Sequence, residues 1–148
     1  GVIKDTDGNI VGKHIGLMYY TLGQRRGLGI GGSGNGGRWY AADKDLKNNE
    51  LIVVQDPSHP ALYSKSLTAV NASWIKGLPP YERFERFVCN VKYRYRQPDK
   101  AADVTVIGDT VTVEFASPQK AVCPGQYAVF YDNDICLGGA VIDSINKI

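Results

Sequence analysis

Apolar and polar positions alternate with a period of two along most of this chain, and that pattern predicts strands. Residues 2–4 and 10–13 flank Asp5-Thr6-Asp7-Gly8-Asn9, a hairpin turn by composition. Residues 39–43 and 51–55 form a second expected hairpin around Leu46-Lys47-Asn48-Asn49. Residues 67–75 read as a further strand with Trp74 as a core anchor. A short helix is expected only within residues 16–23, which carry glycine at each end. The strongest break is Gly77-Leu78-Pro79-Pro80, because glycine and proline interrupt regular structure.

Beyond that break every segment reads as β: residues 87–96, 102–107, 110–115, 127–131 and 135–142. Gly108-Asp109 and Asp132-Asn133-Asp134 make the connecting turns. Five or six short strands in about 65 residues, with no helical pattern, indicate a small antiparallel barrel that closes and so removes its edges. The expected fold class is therefore mainly β. A small α+β or β domain at residues 1–79 precedes a β-barrel at residues 80–148.

Composition fits this picture. At 148 residues the chain holds one domain or two small ones, and a hydrophobic fraction of 43% suffices for packed cores. No apolar run approaches the ~18 residues of a membrane span, and no signal peptide opens the chain. The chain begins Gly1-Val2-Ile3 without a Met, which reads as a piece of something longer. Cys89, Cys123 and Cys136 are odd in number and widely spaced, neither a disulfide framework nor a zinc pattern. Each lies in or beside an apolar stretch, so buried inert thiols in a reducing cytoplasm are expected. The Asp-x-Asp-Gly of the first turn resembles a calcium loop but lacks its later acidic ligands. The glycine tract at residues 31–37 lacks the Gly-Lys-Ser/Thr of a phosphate loop. His14 and His59 stand far apart and no nucleophile motif occurs, so no catalytic or metal-binding residue is assigned. His14 reads as a local hydrogen-bonding residue.

The formal net charge is only +2, so any affinity for a polyanion must come from local clustering. One cluster is Val91-Lys92-Tyr93-Arg94-Tyr95-Arg96-Gln97. On a strand, Lys92, Arg94 and Arg96 share one face, and Val91, Tyr93 and Tyr95 share the other. Cations then recur roughly every 6.6 Å, close to the spacing of phosphates on an extended nucleic-acid strand. Taken alone, the stripe reads more readily as a solvated sheet face than as an anion site. Arg25-Arg26, between Gln24 and Gly27, forms a second basic pair, with a solvated turn as its alternative. Pro124-Gly125-Gln126 makes a turn before the 127–131 strand and puts Gln126 at the barrel rim. Arg suits phosphate, Tyr can stack on a base, and Gln can meet a base edge.

Five words occur in order along the chain: Gly12-Lys13-His14-Ile15-Gly16-Leu17, then Tyr20-Thr21-Leu22-Gly23-Gln24-Arg25-Arg26-Gly27-Leu28-Gly29, then Lys92-Tyr93-Arg94-Tyr95-Arg96-Gln97, then Ala121-Val122-Cys123-Pro124-Gly125-Gln126, and last Ala128-Val129-Phe130-Tyr131 with Cys136-Leu137-Gly138-Gly139. Together they closely resemble the tRNA-specific 2-thiouridylase family over nearly the whole chain. Cys123 stands where the family usually has Thr, and the glycine tract replaces a more usual Pro-Trp-Tyr.

The resemblance covers the family's central and C-terminal domains only. It implies a barrel like the second domain of translation elongation factors, and a parent enzyme that uses ATP to activate the wobble uridine of tRNAs for Glu, Gln and Lys. A cysteine persulfide then delivers sulfur, supplied by a cysteine desulfurase or a sulfur-relay protein. The family's Ser-Gly-Gly-x-Asp-Ser loop is absent, and neither catalytic-cysteine motif matches a cysteine here, so this portion alone is expected to be inactive. What carries over is tRNA contact by Arg94, Tyr95 and Gln126, with Lys92, Arg96, Arg25 and Arg26 as further candidates. The alternative is a protein-interaction barrel without RNA contact.

Overall fold

The computed structural model of the chain describes residues 1–30, 37–77, 86–94 and 100–148. Two of the expected binding residues, Tyr95 and Arg96, lie outside the described residues, as do residues 31–36 of the glycine tract. The chain divides into two compact units, Gly1–Tyr63 and Ser64–Ile148.

In the first unit, β1 (Val2–Asp5), β2 (Ile10–Lys13), β3 (Tyr40–Asp45) and β4 (Glu50–Val54) form one sheet in the order β2-β1-β4-β3. Both expected hairpins are present. β1 and β4 run parallel, from Val2 opposite Glu50 to Asp5 opposite Val53, and join the hairpins into a mixed sheet. Ile3, Ala41, Leu51 and Val53 are fully buried and pack with Leu17, Tyr20, Leu28 and Trp39. The first turn is held by Asp5, whose Oδ1 accepts from the backbone N–H of Asp7 (3.0 Å) and of Asn9 (2.8 Å). Asn9 Nδ2 donates to Asp5 Oδ2 at 2.9 Å, and this bond above all holds the carboxyl below its ordinary pKa. The helix expected within residues 16–23 is a single 3-10 turn, Leu17–Tyr19. It ends at Tyr20, already extended at φ −116°, because the run Tyr19-Tyr20-Thr21 favours extended backbone.

The second unit is a closed barrel of β5 (Tyr63–Trp74), β6 (Arg86–Lys92), β7 (Lys100–Ile107), β8 (Thr110–Lys120), β9 (Tyr127–Asp132) and β10 (Ile135–Lys147). Its order is β10-β5-β8-β7-β6-β9. The division expected at residues 79/80 thus lies earlier in the structure, at 63/64. β5 pairs with β10 from Trp74 opposite Gly138 to Ser64 opposite Lys147, which makes it a barrel stave. Punctuation such as Gly-Leu-Pro-Pro marks where a strand ends, and says nothing about which sheet that strand joins.

The core follows from the alternation. Phe87, Cys89 and Val91 of β6, Val104 of β7, Val111 and Val113 of β8, Ala128 and Phe130 of β9, and Ile142 of β10 are all buried. Trp74 stacks on Phe130 (centroids 5.6 Å apart, 27° between planes) and meets Phe87 edge-on at 6.4 Å. β10 crosses β5 closely at Gly138. A Cβ there would collide with the Ser73 carbonyl oxygen and lie 2.8 Å from Trp74 Cε3.

Candidate nucleic-acid interface

β6 keeps the alternation read from sequence: Phe87, Cys89, Val91 and Tyr93 point into the core, while Lys92 and Arg94 are half-buried on the other side. The β6–β9 ladder is short, running from Asn90 opposite Tyr131 to Lys92 opposite Val129. On the outer face the Lys92 ammonium lies over the Tyr131 ring, 5.5 Å from its centroid. A cation at that distance is attracted by the ring quadrupole.

Past Lys92 the chain engages the turn that follows β8. The Tyr93 hydroxyl donates to the Lys120 carbonyl at 2.7 Å, and Arg94 Nη2 donates to the Ala121 carbonyl at 2.9 Å. Two consecutive side chains thereby hold two consecutive carbonyls. Ala121 sits at φ 62°, a left-handed conformation that costs a non-glycine residue about 1 kcal/mol and needs support from its surroundings. The turn then runs through Pro124 and Gly125 to Gln126. It is fastened to β10 by Gly125 N–H donating to Ile142 O (2.7 Å) and Ile142 N–H donating to Gln126 O (2.8 Å). Gly125, at φ 91°, supplies the conformation that this turn requires.

Lys92, Arg94 and Gln126 consequently line one open groove of about 460 Å³, together with Tyr93, Tyr127, Val129 and Tyr131. Tyr127 is 67% exposed at its mouth. The Gln126 Oε1 is buried and has no hydrogen-bond partner among the described residues. The groove combines cations, aromatic faces and an amide, the three group types that hold phosphate, stack on bases and meet base edges.

The structure therefore brings together three of the residues singled out in the sequence. Arg25 and Arg26 belong to the first unit, where both are exposed. Their loop is shaped by Gln24, whose Oε1 accepts from Thr21 N–H (3.0 Å) and whose Nε2 donates to Arg26 O (2.8 Å). Tyr127 and Tyr131 were not singled out as site residues. The run Tyr127-Ala128-Val129-Phe130-Tyr131 has apolar groups at every position, which hides the outward face. The larger tyrosines at alternate positions were the available signal.

His14 is buried and structural: Nε2 donates to the Asn49 carbonyl (2.9 Å), and Nδ1 accepts from Gly16 N–H (3.2 Å). Burial pushes the Cys89 thiol up to about 12, and Cys123 is also buried. Cys136 departs from the expectation of three buried thiols. It is half-buried, because the β9–β10 ladder shifts register between Cys136 and Gly138.

Residues 64–142 match the family model for an aminomethyltransferase beta-barrel domain, and residues 1–55 match that for a tRNA methyl transferase PRC-barrel domain. Among curated relatives, the tRNA-specific 2-thiouridylase MnmA 1 of Geobacillus kaustophilus is 54% identical over 149 residues, covering 100% of this chain and 40% of the relative. The tRNA-specific 2-thiouridylase MnmA of Alkaliphilus oremlandii is 51% identical over 148 residues, covering 99% and 40%. That of Marinobacter nauticus is 51% identical over 145 residues, covering 97% and 36%. The chain spans about 40% of the length of the curated relatives it matches. With matches across both compact units, the chain belongs to the tRNA-specific 2-thiouridylase family, of which it carries the two β domains described above.

Proposed function

We propose that this chain is the tRNA-recognition portion of a tRNA-specific 2-thiouridylase, and that its groove holds RNA. The observation that carries this reading is the convergence of Lys92, Arg94, Gln126, Tyr127 and Tyr131 on one open surface. Lys92 and Arg94 supply positive potential for a phosphate, and Tyr127 offers an exposed ring for stacking. Such contacts position RNA by shape and charge and read little sequence.

The whole enzyme, on this reading, acts in the cytoplasm. It makes 2-thiouridine at the wobble position of tRNAs for Glu, Gln and Lys, with ATP as activator and a persulfide as sulfur donor, relayed from a cysteine desulfurase. The chemistry belongs to the rest of that enzyme, and these two domains hold the substrate.

Fluorescence anisotropy with unmodified tRNA tests the proposal. Binding should be weak and should fall as salt rises. Tyr127→Ala should weaken it by about 1–3 kcal/mol, the range for one base stacked on an aromatic ring. Salt-independent binding, or equal binding by the variant, would refute it.

A protein contact is the second reading, favoured by Ile15, Met18 and Tyr19 in the first unit, which are 82%, 84% and 65% exposed. A protein partner retained by the chain after nuclease treatment, with no tRNA enriched, would support it.

A further inference from the structure

The placement of Arg94 assigns it a different task from that of Lys92. Arg94 is half-buried and its Nη2 donates to the Ala121 carbonyl, so part of its donor fork is spent on the protein itself. The neighbouring Tyr93 hydroxyl takes the preceding carbonyl, Lys120. Between them they hold the left-handed kink at Ala121, and the segment from that kink to β9 carries Gln126 into the groove. Lysine keeps the charge but not the planar fork that places this donor against the Ala121 carbonyl.

We propose that Tyr93 and Arg94 form a strap that positions the 120–126 turn, so that Arg94 acts on the ligand chiefly through Gln126 rather than as an independent phosphate contact. The proposal rests on the reading of the groove as an RNA site and names which residue positions which. It separates two effects that a plain alanine substitution would merge. A phosphate contact is lost with its charge and lowers the salt dependence of binding by somewhat under one unit. A positioning bond is lost with its geometry and leaves the salt dependence unchanged.

The experiment uses the 148-residue chain and unmodified tRNA, with four variants: Arg94→Lys, Tyr93→Phe, Gln126→Ala, and Arg94→Lys combined with Gln126→Ala. Arg94→Lys keeps the charge, and Tyr93→Phe keeps the buried ring while removing only the hydroxyl. Each is expected to weaken binding about threefold to tenfold, the worth of one positioning hydrogen bond, at an unchanged salt slope. In the Gln126→Ala background, Arg94→Lys should cost almost nothing further, since contacts that act as one unit are not additive. Hydrogen exchange on the free protein gives a readout independent of RNA: the Gly125 amide, bound to Ile142 O, should lose protection in Arg94→Lys. Additive losses in the cycle, or wild-type affinity in Arg94→Lys, would overturn the positioning role. Unchanged protection at Gly125 would overturn the strap itself. Absence of tRNA binding by the wild type would instead sink the reading of the groove on which the role rests.

Discussion

Replacing Lys92 by alanine removes one cation from the groove and leaves the β6 backbone paired with Val129. The side chain lies on the outer face, over Tyr131, so the barrel core does not change. A half-exposed ammonium meeting a phosphate contributes up to about 1 kcal/mol, or roughly fivefold in affinity at low salt. Its removal also lowers the number of counterions released on binding by one, which reduces the slope of log affinity against log salt by about 0.7–0.9. Between about 50 and 200 mM salt, a fourfold rise, that difference amounts to about threefold. The variant should therefore bind about fivefold more weakly than wild type at 50 mM and only about twofold more weakly at 200 mM. Anisotropy titrations at four or five salt concentrations measure both slopes. A loss of equal size at every concentration would show that Lys92 releases no counterion, and the groove's electrostatic role would fail with it.

Two further predictions concern the barrel itself. Gly138→Ala drives a Cβ against the Ser73 carbonyl and the Trp74 ring; overpacking of this kind costs about 1–3 kcal/mol, so urea denaturation followed by tryptophan fluorescence should show a midpoint lower by about 1 M, and an unchanged midpoint would refute the close crossing of β5 and β10. Burial raises the Cys89 thiol from 9.0 to about 12, so the folded state holds this proton more tightly than the unfolded chain. The resulting stabilisation is complete below about pH 9 and lost as pH climbs towards 12. The stability difference between wild type and Cys89→Ala should change in the variant's favour across that window, and a constant difference would refute it.

The alternation in residues 87–93 was legible because a barrel strand has one face in the core, and period two reports that directly. The turns at Gly108-Asp109 and at Asp132-Asn133-Asp134 were legible for a related reason. They need left-handed backbone, and Gly108 (φ 63°) and Asn133 (φ 52°) are residues that accept it. Membership of β5 in the barrel was not legible, since Ser64 pairs with Lys147 across almost the whole length of the unit. Nothing local to residues 63–74 encodes that partner. β8 is also longer than its pattern suggests, running through Pro118 to Lys120, because proline reads as a stop unless its place in the ladder is known. The groove was half legible. Lys92, Arg94 and Gln126 stood out by residue type, but the Ala121 carbonyl that takes Arg94 did not. Every residue offers such an acceptor, and alanine gives no warning of a left-handed kink.

The groove and a weak point of the barrel share one cause. β7 and β8 are joined by six register pairs, whereas β6 and β9 are joined by three, ending at Lys92 opposite Val129. Had that ladder continued in register, Arg94 would oppose Tyr127. Instead the chain departs after Lys92 and meets the 120–126 turn, which is fastened on one side by Tyr93 and Arg94 and on the other by Ile142. Beyond the end of that ladder, hydrogen bonds from the residues that shape the groove hold this part of the barrel. Any substitution that loosens the strap should lower stability and RNA affinity together, and their correlation alone cannot separate a structural residue from a positioning one. Coupling to Gln126 can. Loss of barrel stability weakens binding whether or not the Gln126 amide is present, while loss of positioning matters only when there is an amide to position.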